Sequence, residues 1–439
     1  MSVKTLLMPY VTQKLFSRDT LLAKRKKAEK ARQSAGRPHV VHYFHQVDDP
    51  YSALMVQVLP ELAARYSIEL KAHVVSPPPD SAAPEREKLV EYSRKDAQAL
   101  AVYRSLQFTD PGNQPVETKL QMAIDALVSA ALQNRFFEFA PCISKWLWQK
   151  DSTNALPDNC QSIEPCSLSQ MKAHIQQSDQ LRENMGHYLG AMLSYEGEWY
   201  WGIDRLYHLE ERLQDLSIQK QGITGSLFEP DQDLTAPLSL HNPPDIDFFF
   251  SFRSPYSAIV APRVFKLGEL TGAKVNLKFV LPMVMRGLAV PKAKREYIVH
   301  DTAREAHARG TPFGKLNDPV GRPAERGLSL VPYAEKHGLG QEFVLSFMKG
   351  VWSEGIHAGS DSGLKKIVER TGLSWQGALQ ALDDESWRLR AEANRNELFG
   401  LGLWGVPSFR VGTTEVWGQD RLWQVLDALK AQSNTRRTA

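Results

Sequence analysis

Ser254 follows a run of phenylalanines and precedes Pro255, in the stretch FFFSFRSPYSA over 248–258. The pattern predicts a buried strand running into a helix, with proline at the first helical position, where its missing N–H is no loss. The first turn of a helix offers unpaired N–H groups and a partial positive charge, so the place favours an anion. A serine hydroxyl there donates a hydrogen bond that suits a thiolate. A free thiol, with a pKa near ~8.5, is mostly protonated at neutral pH. A helix start and a hydroxyl donor together lower that value and supply a nucleophile. The plainer reading of the same serine is an N-cap.

Other polar residues gather on neighbouring motifs. Gly405-Val406-Pro407 introduces PSFRV and the turn to EVW, a hairpin pattern. Gln419 and Asp420 are expected to begin the last helix, where free N–H groups suit a carboxylate and the Asp420 side chain suits an ammonium. Arg253 is placed to meet a substrate carboxylate, while Tyr256 and Trp404 either wall a pocket or pack in the core. His300 and His307 share a predicted helix with no partner at ligand spacing, so no metal site is expected. The three cysteines, Cys142, Cys160 and Cys166, form no C-x-x-C pair. Cys160 and Cys166 are spaced to bridge or to bind metal, but no matching Cys/His pair sits nearby, and a structural or incidental role is the simpler expectation.

The elements that hold these residues occur twice. VHYFHQVDDPYSALMVQVLPEL from residue 41 and DIDFFFSFRSPYSAIVAPRVFKL from residue 245 share a strand, a Pro-Tyr-Ser-Ala turn and a helix. Pro50, Tyr51, Ser52, Ala53, Leu62, Pro77, Tyr92, Asp96 and Phe108 recur 205 positions later. WGIDRLYHLEERL from Trp201 recurs 216 positions later as WGQDRLWQVLDAL. The reading is a tandem duplication, each copy β-α-β, a helical insert, then β-β-α. Asp301 has its counterpart in Asp96, which points to a structural role. The expected division is a basic helical extension over 1–37, a first domain over 38–213, a linker over 214–244, a second domain over 245–430, and a polar tail over 431–439.

This order of units, with FFFSFRSPYSA, GVPSFRV and WGQDRL in sequence, resembles the DsbA-like thioredoxin fold. Within it the chain looks most similar to the 2-hydroxychromene-2-carboxylate isomerases and kappa-class glutathione transferases. The resemblance covers 245–430, with a weaker echo over 38–213. It implies an α/β fold of two tandem thioredoxin-like domains, with serine where oxidoreductases of this superfamily carry cysteine. It implies glutathione as cofactor, with Ser254 on its sulfur and a cis Pro407. Val406 would then pair with the cysteinyl backbone, Gln419 and Asp420 with the γ-glutamyl end, and Lys315 with the glycyl carboxylate. The loop text GRPAERGLSL lacks an asparagine expected of the isomerases. The first copy has Asp49 in place of Ser254, Ala191 in place of Pro407 and Ile203 in place of Gln419. It reads as a structural or partner-binding domain, its insert cored by Phe136, Phe137, Phe139, Trp146 and Trp148.

Composition narrows the alternatives. With 439 residues, 42% hydrophobic, there is material for two or three domains. A net charge of +3 signals neither nucleic acid nor a membrane surface, and the basic stretch Lys24–Arg32 reads as a solvated helix face. The apolar patch at Leu6, Leu7 and Met8 is cut by Pro9 and too short for a signal peptide. No membrane span is expected, and the cytoplasm is the expected location. Three functions compete: a glutathione-dependent isomerase or transferase acting on a small electrophile, a thiol-disulfide oxidoreductase, and a non-catalytic protein-binding scaffold. The missing C-x-x-C weighs against the second.

Overall fold

The computed structural model describes residues 3–150, 155–288 and 290–435. The chain separates into two compact units. One comprises Arg25–Pro230 with Pro291–Lys294, and the other Met1–Lys24, Asp231–Val290 and Arg295–Ala439.

In the first unit, strands β1 (Val40–Gln46), β2 (Glu69–Val75), β3 (Met192–Tyr195) and β4 (Glu198–Trp201) form one sheet in the order β2-β1-β3-β4. β1 runs parallel to β2 and antiparallel to β3, and β3 pairs antiparallel with β4. The parallel pair needs a crossover, supplied by helix Pro50–Arg65. The insert contributes helices Arg86–Tyr103, Glu117–Leu132, Phe136–Trp148 and Leu168–Asn184. Phe136, Phe139, Trp146 and Trp148 are buried, and Phe137 is partly buried. The basic stretch lies on helix Arg18–Ser34, none of whose residues is buried. Its charges are not all solvated: Arg25 forms a bidentate pair with Glu198 at 2.8 and 2.9 Å.

The second unit repeats the topology. Strands β5 (Ile246–Phe250), β6 (Val275–Phe279), β7 (Ser408–Val411) and β8 (Thr414–Trp417) lie in the order β6-β5-β7-β8. Phe44 faces Met192 across β1 and β3, and Phe249 faces Ser408 across β5 and β7, so the sequence offsets of 205 and 216 hold in the ladder. Every residue of β5 is buried. Phe248 stacks on Phe409 at 5.4 Å, and Phe252 meets Phe347 at 4.1 Å. Each such ring adds about 1.5–3 kcal/mol on burial. Asp247 is the one acidic residue in the strand; Arg410 pairs with it and Asn276 donates to it at 3.0 Å.

Several expectations need correction. The last helix runs Leu422–Thr435, so Gln419 and Asp420 lie in the turn ahead of it. Gly418 explains this: its φ of 128° is open to glycine and turns the chain before the helix can start. Residues 431–435 belong to that helix rather than to a polar tail, and 436–439 lie outside the described residues. The linker is tied down at both ends. Lys220 donates to Arg65 at 2.8 Å in the first unit, and Leu238 donates to Leu270 at 2.8 Å in the second. Among the described residues no helix is long and apolar enough to cross a membrane.

Candidate functional site

Ser254 caps helix Pro255–Thr271. Its side chain accepts from the Ser257 N–H at 3.1 Å, and the hydroxyl donates to the Val406 carbonyl at 3.2 Å. The Val406–Pro407 peptide is cis. The Pro407 carbonyl in turn accepts from the Gly418 N–H at 3.0 Å, which brings the Gln419-Asp420 turn beside the proline. Ser254, Val406, Pro407, Gln419 and Asp420 therefore share one end of the sheet. The Val406 N–H has no acceptor among the described residues. One free backbone donor thus stands beside one hydroxyl at the start of a helix.

Gln419 does not offer its side chain to this site. It is 2% exposed; its Nε2 donates to Glu305 at 2.9 Å, and its Oε1 accepts from Arg263 at 3.1 Å. Arg263 also donates to the Gln419 carbonyl at 2.8 Å and pairs with Asp233 at 2.7 Å. Burial alone would push the Asp233 carboxyl up, and Arg263 and Arg309 more than offset it, so it is held below its ordinary value. Gln419 is thus a buried tie between the turn and two helices. Asp420 keeps its place at the turn, with Arg421 at 3.4 Å.

The other candidates are committed elsewhere. Arg253 makes a bidentate pair with Asp318, both bonds at 2.8 Å. Tyr256 donates to Asp301 at 2.7 Å, and Arg304 holds the other carboxylate oxygen at 2.7 Å. Tyr51 donates to Asp96 at 2.8 Å in the first unit, so this helix–helix bond recurs in both units and reads as structural. Trp404 is buried and meets Trp417 edge-on at 5.3 Å.

Lys315 stands three residues before Asp318, on the loop that Arg253 grips. Its ammonium lies 4.3 Å from the Tyr10 ring. Beside it the Leu316 N–H donates to Thr12 Oγ1 at 2.9 Å, and His307 donates to the Phe16 carbonyl at 2.8 Å. Sequence reasoning missed this contact of residues 10–16 with the Lys315 loop, since no motif marks it. It also missed Arg263 and Glu305, which lie far from Gln419 in the chain.

The equivalent place in the first unit is built differently. Asp49 caps helix Pro50–Arg65, accepting from Tyr51 N at 3.3 Å, Ser52 N at 3.0 Å and Ser52 Oγ at 2.9 Å. Burial pushes its carboxyl up to about 7, against the pull of those hydrogen bonds. Ser52 Oγ also accepts from Gln46 N at 3.3 Å and Ala191 N at 3.1 Å. Among the described residues of either unit no group of three His, Cys, Asp or Glu side chains is set to hold a metal ion.

Comparison with known proteins agrees with the second unit. The family described as the DSBA-like thioredoxin domain matches residues 245–430. A 2-hydroxychromene-2-carboxylate isomerase of Pseudomonas putida is 24% identical over 192 residues, covering 42% of this chain and 93% of that protein. One from Sphingobium xenophagum is 24% identical, covering 40% of this chain and 93% of its own. Among solved structures, a selenomethionine 2-hydroxychromene-2-carboxylate isomerase matches with TM-score 0.39 and 22% identity, covering 44% of this chain and 99% of that one. The cytosolic disulfide reductase DsbM from Pseudomonas aeruginosa matches with TM-score 0.36 and 22% identity, covering 46% and 100%. The C-terminal half of the chain is a DsbA-like thioredoxin domain, with 2-hydroxychromene-2-carboxylate isomerases among its relatives.

Proposed function

We propose that the chain is a tandem pair of thioredoxin-like domains in which the second binds glutathione and serves an isomerase or transferase reaction on a small electrophile. The observation that carries this reading is Ser254 at the helix start, 3.2 Å from the carbonyl of Val406, whose own N–H is left free among the described residues. A hydroxyl has one proton to give. With a thiol bound, Ser254 would turn that proton from Val406 toward the sulfur while still capping Ser257. The helix N-terminus would add its partial charge. Val406 would offer its N–H to the cysteinyl backbone. Asp420 would take the ammonium of the γ-glutamyl end, and Lys315 the glycyl carboxylate. The glutathione thiol supplies the nucleophile, and this chain's residues bind it, orient it and hold it deprotonated.

At the Ser254 site the oxidoreductase alternative lacks its reagent. All three cysteines lie before residue 170, so the second unit carries no thiol of its own. The recurrence of both sheets in one register, together with the paired Tyr51–Asp96 and Tyr256–Asp301 bonds, supports duplication as the origin of the two units.

Glutathione titration of the full chain by calorimetry, paired with thiolate absorbance against pH, tests the reading. The expected result is saturable binding, with a thiol pKa at least about one unit below its free value. Ser254→Ala should keep most of the affinity but return the pKa toward ~8.5. Asp420→Ala should weaken binding without moving the pKa. No binding at millimolar glutathione would overturn the proposal in favour of the scaffold reading.

A further inference from the structure

Two of the three cysteines meet, and they are not the two nearest in sequence. Cys142 lies on helix Phe136–Trp148 and is partly exposed; Cys160 ends the short turn Asp158–Cys160 and is 1% exposed. Asn159 Oδ1 accepts from both thiols, from Cys142 Sγ at 3.2 Å and Cys160 Sγ at 3.7 Å. The backbone N–H of Cys166 donates to Ser129 Oγ at 2.9 Å.

We propose that Cys142 and Cys160 form a redox-active pair in the first unit, oxidised to a disulfide by low-molecular-weight disulfides such as glutathione disulfide. The accessible thiol reacts first. Cys142 loses its proton to solvent, and its thiolate attacks one sulfur of glutathione disulfide. That S–S bond breaks, one glutathione leaves as thiolate, and Cys142 carries a mixed disulfide. Cys160 then gives up its proton and attacks the Cys142 sulfur, releasing the second glutathione. Two protein thiols are oxidised by two electrons in all, and one disulfide is reduced to two glutathiones. Burial, reinforced by the sulfur of Cys142, pushes the Cys160 thiol up to about 12, so the second step is the slower. Asn159 satisfies both thiols in the reduced state and must be released when the bond forms. The pair does not depend on what Ser254 binds.

The test uses the full chain, equilibrated across a series of glutathione to glutathione disulfide ratios, quenched with acid, alkylated and digested without reductant. Loss of two thiols per chain is expected, with one linked peptide joining Cys142 to Cys160 and Cys166 alkylated. Cys166→Ser should leave that peptide unchanged. Cys160→Ser should accumulate Cys142 bearing one glutathione, and Cys142→Ser should slow the loss of the Cys160 thiol by about tenfold or more, since burial shields it. Three thiols left free across the series, or a linked peptide containing Cys166, would overturn the pair. So would Cys160 reacting at its usual rate in Cys142→Ser.

Discussion

At the start of helix Pro50–Arg65 the capping groups are spent on one another and on the sheet. Asp49 takes three hydrogen bonds from the first turn, and Ser52 Oγ accepts from the ends of two strands through Gln46 N and Ala191 N. Gly190 has no room for a side chain, since a Cβ would come within 2.4 Å of the Gln46 Cβ. At the start of helix Pro255–Thr271 the same backbone carries the opposite arrangement. Pro407 stands where Ala191 does and has no N–H to give. Ser254 replaces the carboxylate, and Ser257 Oγ, the counterpart of Ser52 Oγ, is buried with no hydrogen-bond partner. The first place is a closed structural joint. The second leaves polar groups unspent, and unspent groups are what a ligand can use.

Ser254→Asp carries the first unit's residue into the second and should have the largest effect. Aspartate caps a helix as well as serine, so unfolding in urea should move by less than ~1 kcal/mol. Glutathione affinity, measured by calorimetry at neutral pH, should fall about a hundredfold or more. A carboxylate about 4 Å from a thiolate costs roughly 4 kcal/mol at a surface-like dielectric. Undiminished affinity would mean that the two helix starts differ in no way that matters to a thiol.

Ser52→Ala comes next. It removes the acceptor of the Gln46 and Ala191 N–H groups and the donor to Asp49. Leaving buried donors unpaired should cost about 2–3 kcal/mol. Hydrogen exchange should speed up most at the Ala191 amide. If that amide keeps its protection, the Ser52 joint does not hold the strands together.

Much of this contrast was legible in the chain. Asp49 for Ser254 and Ala191 for Pro407 follow from two fixed offsets, because strand register carries alternation faithfully from sequence to sheet. The start of the last helix was not legible, since only the conformation of Gly418 shows that the chain turns before Leu422. Gln419 looked like a ligand because its partners, Arg263 and Glu305, are long-range and leave no local signal. The approach of residues 10–16 to the Lys315 loop was hidden for the same reason. Side chains that point at distant helices are decided by packing, and periodicity says nothing of which helix arrives.

Asp49 makes the comparison sensitive to pH. Its carboxyl is pushed up to about 7 by burial, and Glu210, in the same unit, is also pushed up to about 7 by burial. Both groups bind a proton more tightly folded than unfolded. The stability they contribute is complete below ~4 and is lost as pH rises to about 7, after which it is flat. Asp49→Asn should remove roughly half of that slope and leave the first unit about 1–2 kcal/mol more stable at pH 8, allowing for partial solvent screening. Urea midpoints at pH 5 and pH 8 read this directly. An unchanged slope in the variant would place the Asp49 carboxylate in contact with water.

Ser257→Ala should have the smallest effect, and the contrast with Ser52→Ala is its point. Both serines are fully buried one turn into equivalent helices. Ser257 Oγ finds no hydrogen-bond partner, so removing it deletes an unsatisfied polar group rather than an interaction. Its backbone N–H still reaches Ser254 Oγ at 3.1 Å, and alanine leaves that bond in place. The urea midpoint should therefore stay within ~0.5 kcal/mol of wild type or rise slightly. Glutathione affinity should change by less than about twofold, because the cap and the Val406 edge are untouched. A loss as large as that of Ser52→Ala would show that Ser257 Oγ has a partner after all. The place beside Pro407 would then be as closed as its counterpart beside Ala191.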